Sequence, residues 1–305
     1  MQAVFVDANP ALAALAREML HVDGVAFAIH PDPDVRPDAL PALLDGVDIA
    51  IVDHTALPTQ VARACPALRH VVFLGTGARS YMSPEALATL GIAVHTIKGY
   101  GDTAVAECAI ALAWAGVREL ARMDREIRAG TWERREGVQL GGRTLGLVGF
   151  GSIAAEVARI GRGIGMRVVA WNRTPRTHPH VEFVALDRLL GQSDVVSLHL
   201  LLTDETRGIL SRERIAQMRD GSILVNTARG GLVDEDAMIE ALRDGRLRHA
   251  GLDVYAVEPL PAGHPLTLLP NVTLSAHSAF RTPEANRSLI GAAREHCARI
   301  VENAT

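Results

Sequence analysis

Three residues of different chemical type each follow a strand-like apolar run: Arg229 after SILVNTA, Glu258 after HAGLDVY and His277 after NVTLSA. If these runs are successive parallel strands, all three side chains emerge at the carboxyl edge of one sheet, where open α/β sheets bind ligands. Together they match the needs of a carbonyl reduction or its reverse. Histidine donates a proton to a carbonyl oxygen as hydride arrives, or takes one from a hydroxyl. Glutamate orients the imidazole ring. Arginine clamps a carboxylate with two parallel hydrogen bonds and polarises the neighbouring carbonyl. Any one of them alone would be an ordinary surface or loop residue; the trio is the informative unit.

A hydride donor has a candidate seat. GLVGFGSIAAEVARIG holds Gly149, Gly151 and Ala154 in GxGxxA form, after a strand and before an amphipathic helix. Gly149 permits the tight turn, Gly151 lets the backbone approach a pyrophosphate, and Ala154 keeps helix and strand close. The amides of the helix start, through Ser152 and Ile153, then face the phosphates. A tight strand-to-helix turn that binds nothing has the same pattern, but strand, turn, helix and second strand fall here in the order a dinucleotide site requires. The second strand ends in VVAWNRTP, with Asn172 where an acid would pair with the ribose hydroxyls of NAD. Neutral Asn172 beside Arg173, with Thr174 and Arg176 as further donors, accepts a 2′-phosphate that an acid would repel. The cofactor expected is therefore NADP(H), with NAD(H) as the alternative if Arg173 is only a solvated charge.

The elements that must position these residues are legible as two alternations. QAVFV, VDIAIVD, LRHVVFL and IAVHT alternate with helical stretches near residues 10 to 20, 58 to 64 and 84 to 90, which predicts a parallel sheet with crossover helices. TAVAECAIALAWAGVRELARMDREIRAG follows, apolar around most of its first half and charged later. Strand-like runs then recur at 145–149, 167–171, 181–184, 194–198, 222–226, 249–254 and 271–275, which describes a doubly wound Rossmann domain. PEANRSLIGAAREHCARIVENA reads as a final helix with no strand after it.

Composition narrows the partner. The 305 residues suit two α/β domains, and 48% hydrophobic residues suffice for a core in each. A net charge of −4 without a basic block argues against nucleic acid and membrane surfaces, leaving a small molecule. MQAVFVDANP has no signal-peptide pattern and no run reaches membrane length, so a cytoplasmic protein is expected. Cys65, Cys108 and Cys297 are too few and too scattered for disulfides or a metal site, and no metal is expected. Lys98 is the sole lysine, so single arginines in this arginine-rich chain carry little weight alone.

GRTLGLVGFGSIA, NTARGGLVDEDAM, GLDVYAVEPLPAGHPL and LPNVTLSAHSAF resemble the D-isomer-specific 2-hydroxyacid dehydrogenases in sequence, order and separation, over most of residues 70 to 285. The resemblance implies that Arg229 binds substrate, Glu258 partners the histidine and His277 is the general acid/base. It places Asp253 at the nicotinamide carboxamide and Thr227 and Ala228 in the cofactor site; a strand-end turn acid is the other reading of Asp253. It further implies that Gly75, Thr76 and Gly77 of LGTGA offer backbone amides to the substrate carboxylate. A flavodoxin-like substrate-binding domain of residues 1–98 and 285–305, a dinucleotide-binding domain of residues 99–284 and a homodimer complete the expectation. Leu201 and Ala276 stand where relatives often carry proline, and Asn172 is shared with NADP-preferring members that reduce glyoxylate or hydroxypyruvate.

The expected reaction is thus interconversion of a small 2-oxo acid and a D-2-hydroxy acid. A nucleotide-sensing interaction protein like the dehydrogenase-like corepressors would keep the same trio, although the chain shows no long disordered tail to recruit partners. Phosphite oxidation would use a similar site.

Overall fold

The first of two sheets is built from β1 (Gln2–Phe5), β2 (Ala26–Ile29), β3 (Ile49–Val52), β4 (His70–Phe73) and β5 (Ala93–Thr96) in the computed structural model, which describes residues 1–304. The strands are parallel and ordered β2-β1-β3-β4-β5. Their side chains alternate between two apolar layers, as the two-residue period of a strand dictates. Phe5, Ile49, Ile51 and Val72 pack with the helix Pro10–Met19 and the final helix Pro283–Glu302. Val4, Ala50, Val52, Val71 and Phe73 pack on the other face with Leu40, Ala62 and Leu87. The final helix belongs to this unit because Leu289, Ile290, Ala293 and Cys297 are its buried stripe.

The second sheet has seven parallel strands: β6 (Thr144–Val148), β7 (Arg167–Trp171), β8 (Glu182–Phe183), β9 (Val195–Leu198), β10 (Ser222–Asn226), β11 (Leu247–Leu252) and β12 (Val272–Leu274). Their order is β12-β11-β10-β9-β6-β7-β8. This is the doubly wound arrangement, and the strand order reverses between β6 and β9, the place where such sheets open a ligand crevice at their carboxyl ends. Leu145, Leu147, Val168 and Val225 pack on the helices Asp102–Val117 and Ser152–Gly163. Val148, Val196, Leu224 and Leu252 pack on the opposite layer with Leu189, Ile215 and Met238.

The chain divides into two compact units, Met1–Gly101 with Arg281–Thr305 and Asp102–Phe280. The boundaries anticipated at 98/99 and 284/285 fall instead at Gly101/Asp102 and Phe280/Arg281. Two elements differ from the sequence reading. Strand β2 was not anticipated, because AFAI is a short edge strand whose residues alternate between exposed and half-buried. The segment 103–130 is broken: Glu119, at φ +50°, separates the helix Asp102–Val117 from Leu120–Arg128. No helix among the described residues is long and apolar enough to cross a membrane.

Candidate active site

The glycine turn leaves β6 at Val148. Gly149 takes φ +91°, its N–H donates to the Trp171 carbonyl at 2.8 Å, and a Cβ there would lie 2.6 Å from the His199 carbonyl oxygen. Only glycine fits that backbone and that approach. Gly151 differs. Its φ is −106° and an added Cβ would meet nothing within 4 Å, so nothing inside the protein requires glycine and the space above it is open. Gly151 also caps the helix Ser152–Gly163 without a side-chain acceptor. The first-turn amides are therefore left to an external acceptor, at the positive end of the helix dipole. Ala154 is fully buried, where a small side chain lets the helix lie against the sheet.

At the end of β7, Asn172 spans the turn. Its Oδ1 accepts the Phe150 N–H at 3.2 Å and its Nδ2 donates to the Thr174 carbonyl at 2.8 Å. The residue thus ties the glycine turn to the following loop and brings no negative charge. Arg173, Thr174 and Arg176 are exposed beside it. The charge of Arg173 reaches Glu205, whose carboxyl is held below its ordinary range, chiefly by the Thr203 hydroxyl with Arg173 contributing. Thr227, just past β10, is buried and its Oγ1 has no hydrogen-bond partner among the described residues. An orphaned hydroxyl, an open glycine and free helix-start amides on one sheet edge fit a dinucleotide.

At the neighbouring strand ends, Glu258 and His277 meet directly: His277 Nδ1 lies 2.6 Å from Glu258 Oε2. Glu258 Oε1 accepts the Tyr255 N–H at 2.9 Å. Burial raises the Glu258 carboxyl, but the hydrogen bonds from His277 and Tyr255, with the His277 and Arg229 charges, bring it below its ordinary value. An ionised carboxylate only accepts, so Nδ1 carries the proton of the pair and Nε2 is the ring nitrogen without a partner among the described residues. The histidine side chain is 32% exposed, buried enough to be held and open enough to react.

His277 has a left-handed φ of +48°, a conformation disfavoured for a residue with a Cβ. Asp253 explains how it is held. Its backbone carbonyl accepts the His277 N–H at 2.8 Å, and its carboxylate accepts the Ser278 and Ala279 N–H groups, each at 2.9 Å, as well as the Ser275 hydroxyl. Asp253 is 1% exposed, so its oxygens are spent on shaping the histidine turn.

Arg229 is half-buried, and its position is set by two residues for which sequence reasoning had no role. Asn226 donates through Nδ2 to the Arg229 carbonyl at 2.9 Å and accepts the Ala228 N–H at 3.0 Å. Gly230 sits so close to the Tyr255–Ala256 peptide that a Cβ would fall far inside 3.0 Å of its backbone atoms. That close approach joins the arginine segment to the segment carrying Glu258. Asn226 and Gly230 both lie within NTARGG, so their types were visible; Asn226 bonds within that segment, whereas the peptide that Gly230 meets lies at another strand end.

In the first unit the LGTGA loop follows β4. The Gly75 N–H donates to the Phe73 carbonyl at 2.8 Å. The N–H groups of Thr76 and Gly77 have no acceptor among the described residues. No cluster of histidine, cysteine and acidic residues suited to a metal ion occurs among the described residues.

The fold and the nucleotide seat define a nicotinamide-dependent oxidoreductase of the doubly wound class. Residues 110–279 match the family model of the D-isomer specific 2-hydroxyacid dehydrogenase NAD binding domain. The chain is 38% identical over 260 residues to a hydroxypyruvate reductase of Thermotoga maritima, covering 83% of this chain and 84% of that one. It is 37% identical over 244 residues to a glyoxylate reductase of Aeropyrum pernix, covering 76% and 72%. A crystal structure of the TT0316 protein from Thermus thermophilus superposes with a TM-score of 0.89 at 34% identity, over 99% of this chain and 97% of that one. The chain belongs to the D-isomer-specific 2-hydroxyacid dehydrogenase family and is an NAD(P)-dependent oxidoreductase.

Proposed function

We propose that the protein reduces a small 2-oxo acid to the D-2-hydroxy acid with NADPH, and that His277 is the general acid. The observation that carries this reading is the His277 ring held through Nδ1 by an ionised Glu258, which leaves Nε2 available at the sheet edge that also bears the nucleotide seat. Gly149, Gly151, Ser152 and Ile153 would hold the nicotinamide nucleotide, which when bound would supply hydride for the carbonyl carbon. In its imidazolium form His277 gives the Nε2 proton to the carbonyl oxygen and becomes the neutral Nδ1–H imidazole, which Glu258 holds through the transfer. Arg229 binds the substrate carboxylate and polarises the adjacent carbonyl. Thr227 Oγ1 and Ala228 border the nucleotide, and Asn172, Arg173 and Thr174 take the 2′-phosphate. The names of the two relatives support hydroxypyruvate and glyoxylate as the first substrates to try.

Initial rates with NADPH and NADH on hydroxypyruvate, glyoxylate and pyruvate test the assignment. His277→Ala is expected to remove nearly all turnover while nucleotide binding persists; a near-normal kcat in that variant would overturn the role of His277. A homodimer is part of the proposal, supported by Trp114, Leu120, Ile127 and Trp132, four large apolar side chains left exposed on the second unit. Light scattering that gives the mass of one chain would refute it.

A further inference from the structure

Three histidines that the chemistry above does not use meet at one edge of the first sheet. His70 opens β4, His95 lies in β5, the outermost strand on that side, and His296 lies in the final helix. All three belong to the same compact unit. The register pairs Val72 with His95, and Val72 packs with Leu289, Ile290 and Cys297 of that helix. His70, two residues before Val72, shares its face of the sheet. The three rings therefore sit, each half-buried, in the layer between the sheet and the final helix. His70 Nδ1 is 3.2 Å from His95 Nε2. Ring centroids are 5.4 Å apart for His70 and His95, and 5.6 Å apart for His95 and His296. The His296 ring is hydrogen-bonded to the backbone of Thr96, which ties the helix to the end of β5.

A hydrogen bond between two imidazoles needs one N–H and one bare nitrogen. With both rings neutral, or with one charged, His70 and His95 meet that need. With both charged, two N–H groups face each other across 3.2 Å, and the bond is replaced by repulsion of like charges. The surrounding charges do not offset this. Asp48, just before β3, favours a charged His70, and Arg69 opposes it. Asp48 also accepts the Gln2 N–H at 2.7 Å, so its carboxylate is shared. His70, His296 and Arg299 all oppose a charged His95. Glu295 favours a charged His296, and Arg299 opposes it. Burial is the largest influence on each ring, and all three are held below their ordinary value of 6.5.

We propose that His70, His95 and His296 form an acid-sensitive latch, which holds the final helix against the β4–β5 edge while the rings are neutral and lets that corner open when a second ring takes a proton. The sign follows from the lowered values. Unfolding returns each ring to about 6.5, so the stabilisation is fully present above that pH and is lost as pH falls below it. The opening is local, confined to the edge strand and the helix turns above it, where only one neighbouring strand supplies hydrogen bonds to β5.

Hydrogen exchange of the full chain at about pH 7.5 and pH 5.5, corrected for the pH dependence of the chemical exchange rate, tests the latch. In the wild type, amides of Ala93–Thr96 and of residues 290–300 should lose protection on acidification. His95→Gln offers His70 a partner that stays neutral at both pH values. The loss in the wild type should therefore exceed the loss in this variant about tenfold, the effect of one hydrogen bond turned unfavourable. Comparison of the two proteins removes acid effects that arise elsewhere in the chain. Losses within about twofold of each other, or no loss in the wild type, would overturn the latch. If the glutamine variant does not fold, the histidine ring resonances of the wild type decide. His70 and His95 should take up protons in two separate steps below pH 6.5; independent titration of both near 6.5 would overturn the proposal.

Discussion

Gly230→Ala puts the least bulk possible at the point where two strand-end segments touch. The added methyl carbon would fall within 3.0 Å of three backbone atoms, the carbonyl carbon and oxygen of Tyr255 and the nitrogen of Ala256. Backbone cannot swing aside as a side-chain tip can, so relief requires one segment to move by roughly 1 Å, at a cost of about 1–3 kcal/mol for overpacking. Arg229 is adjacent to the methyl on one side. On the other, the Tyr255 N–H that holds Glu258 Oε1 moves with the peptide. Misplacement by about 1 Å costs on the order of 100-fold in rate, or roughly 2.7 kcal/mol of transition-state stabilisation. Gly149 and Gly151 lie on other strands and keep their geometry. The expected result is kcat/KM for the 2-oxo acid lowered about 100-fold, NADPH affinity within about twofold of wild type, and a Tm lower by several degrees. Stopped-flow nucleotide binding, steady-state kinetics and a thermal melt read all three. Wild-type kcat/KM in this variant would refute the claim that the close approach at Gly230 sets the arginine and glutamate geometry.

Two other outcomes follow from the same geometry. Asn172→Asp places a carboxylate at the end of β7 and removes the amide that donates to the Thr174 carbonyl; kcat/KM with NADPH should fall roughly 10- to 100-fold while NADH is little affected, and an unchanged cofactor ratio would show that Asn172 does not decide between them. Acid should weaken the second unit through two buried histidines. Burial depresses His199 and His249 to about 4. The unfolded chain binds their protons near pH 6.5, so the stability is present above that pH and is lost as pH falls to about 4, at roughly 3 kcal/mol for each histidine. Urea midpoints measured between pH 7.5 and 4.5 should show this fall, and His249→Gln should flatten part of it; an equally steep fall in the variant would contradict the assignment.

The identities and order of the chemical groups were legible in the chain. Gly149, Arg229, Glu258 and His277 each follow a run whose apolar content marks a strand, and parallel strands deliver their ends to one edge. The seven strands of the second sheet were readable because buried parallel strands are nearly continuous in Val, Leu and Ile. Strand β2 and the break at Glu119 were not: the first has little periodicity of its own, and the second is a local left-handed residue inside a helical pattern.

Whatever depends on which strand end approaches which was decided only in the tertiary structure. The carboxylate of Asp253 accepts N–H groups of the turn that holds His277, and Gly230 joins the Arg229 segment to the Tyr255–Ala256 peptide, in both cases between residues more than twenty positions apart in the chain. His54 gives the plainest case. In the chain it is one of 12 histidines, whereas in the fold the pairing of β1 with β3 brings the Asp7 carboxylate to its N–H at 2.7 Å and to its ring at 3.5 Å. Residue type and local period specify elements and chemical capacity, because they act through the backbone nearby. Hydrogen-bond partners, burial and close approaches depend on register between segments far apart in the chain, and that is where capacity becomes a site.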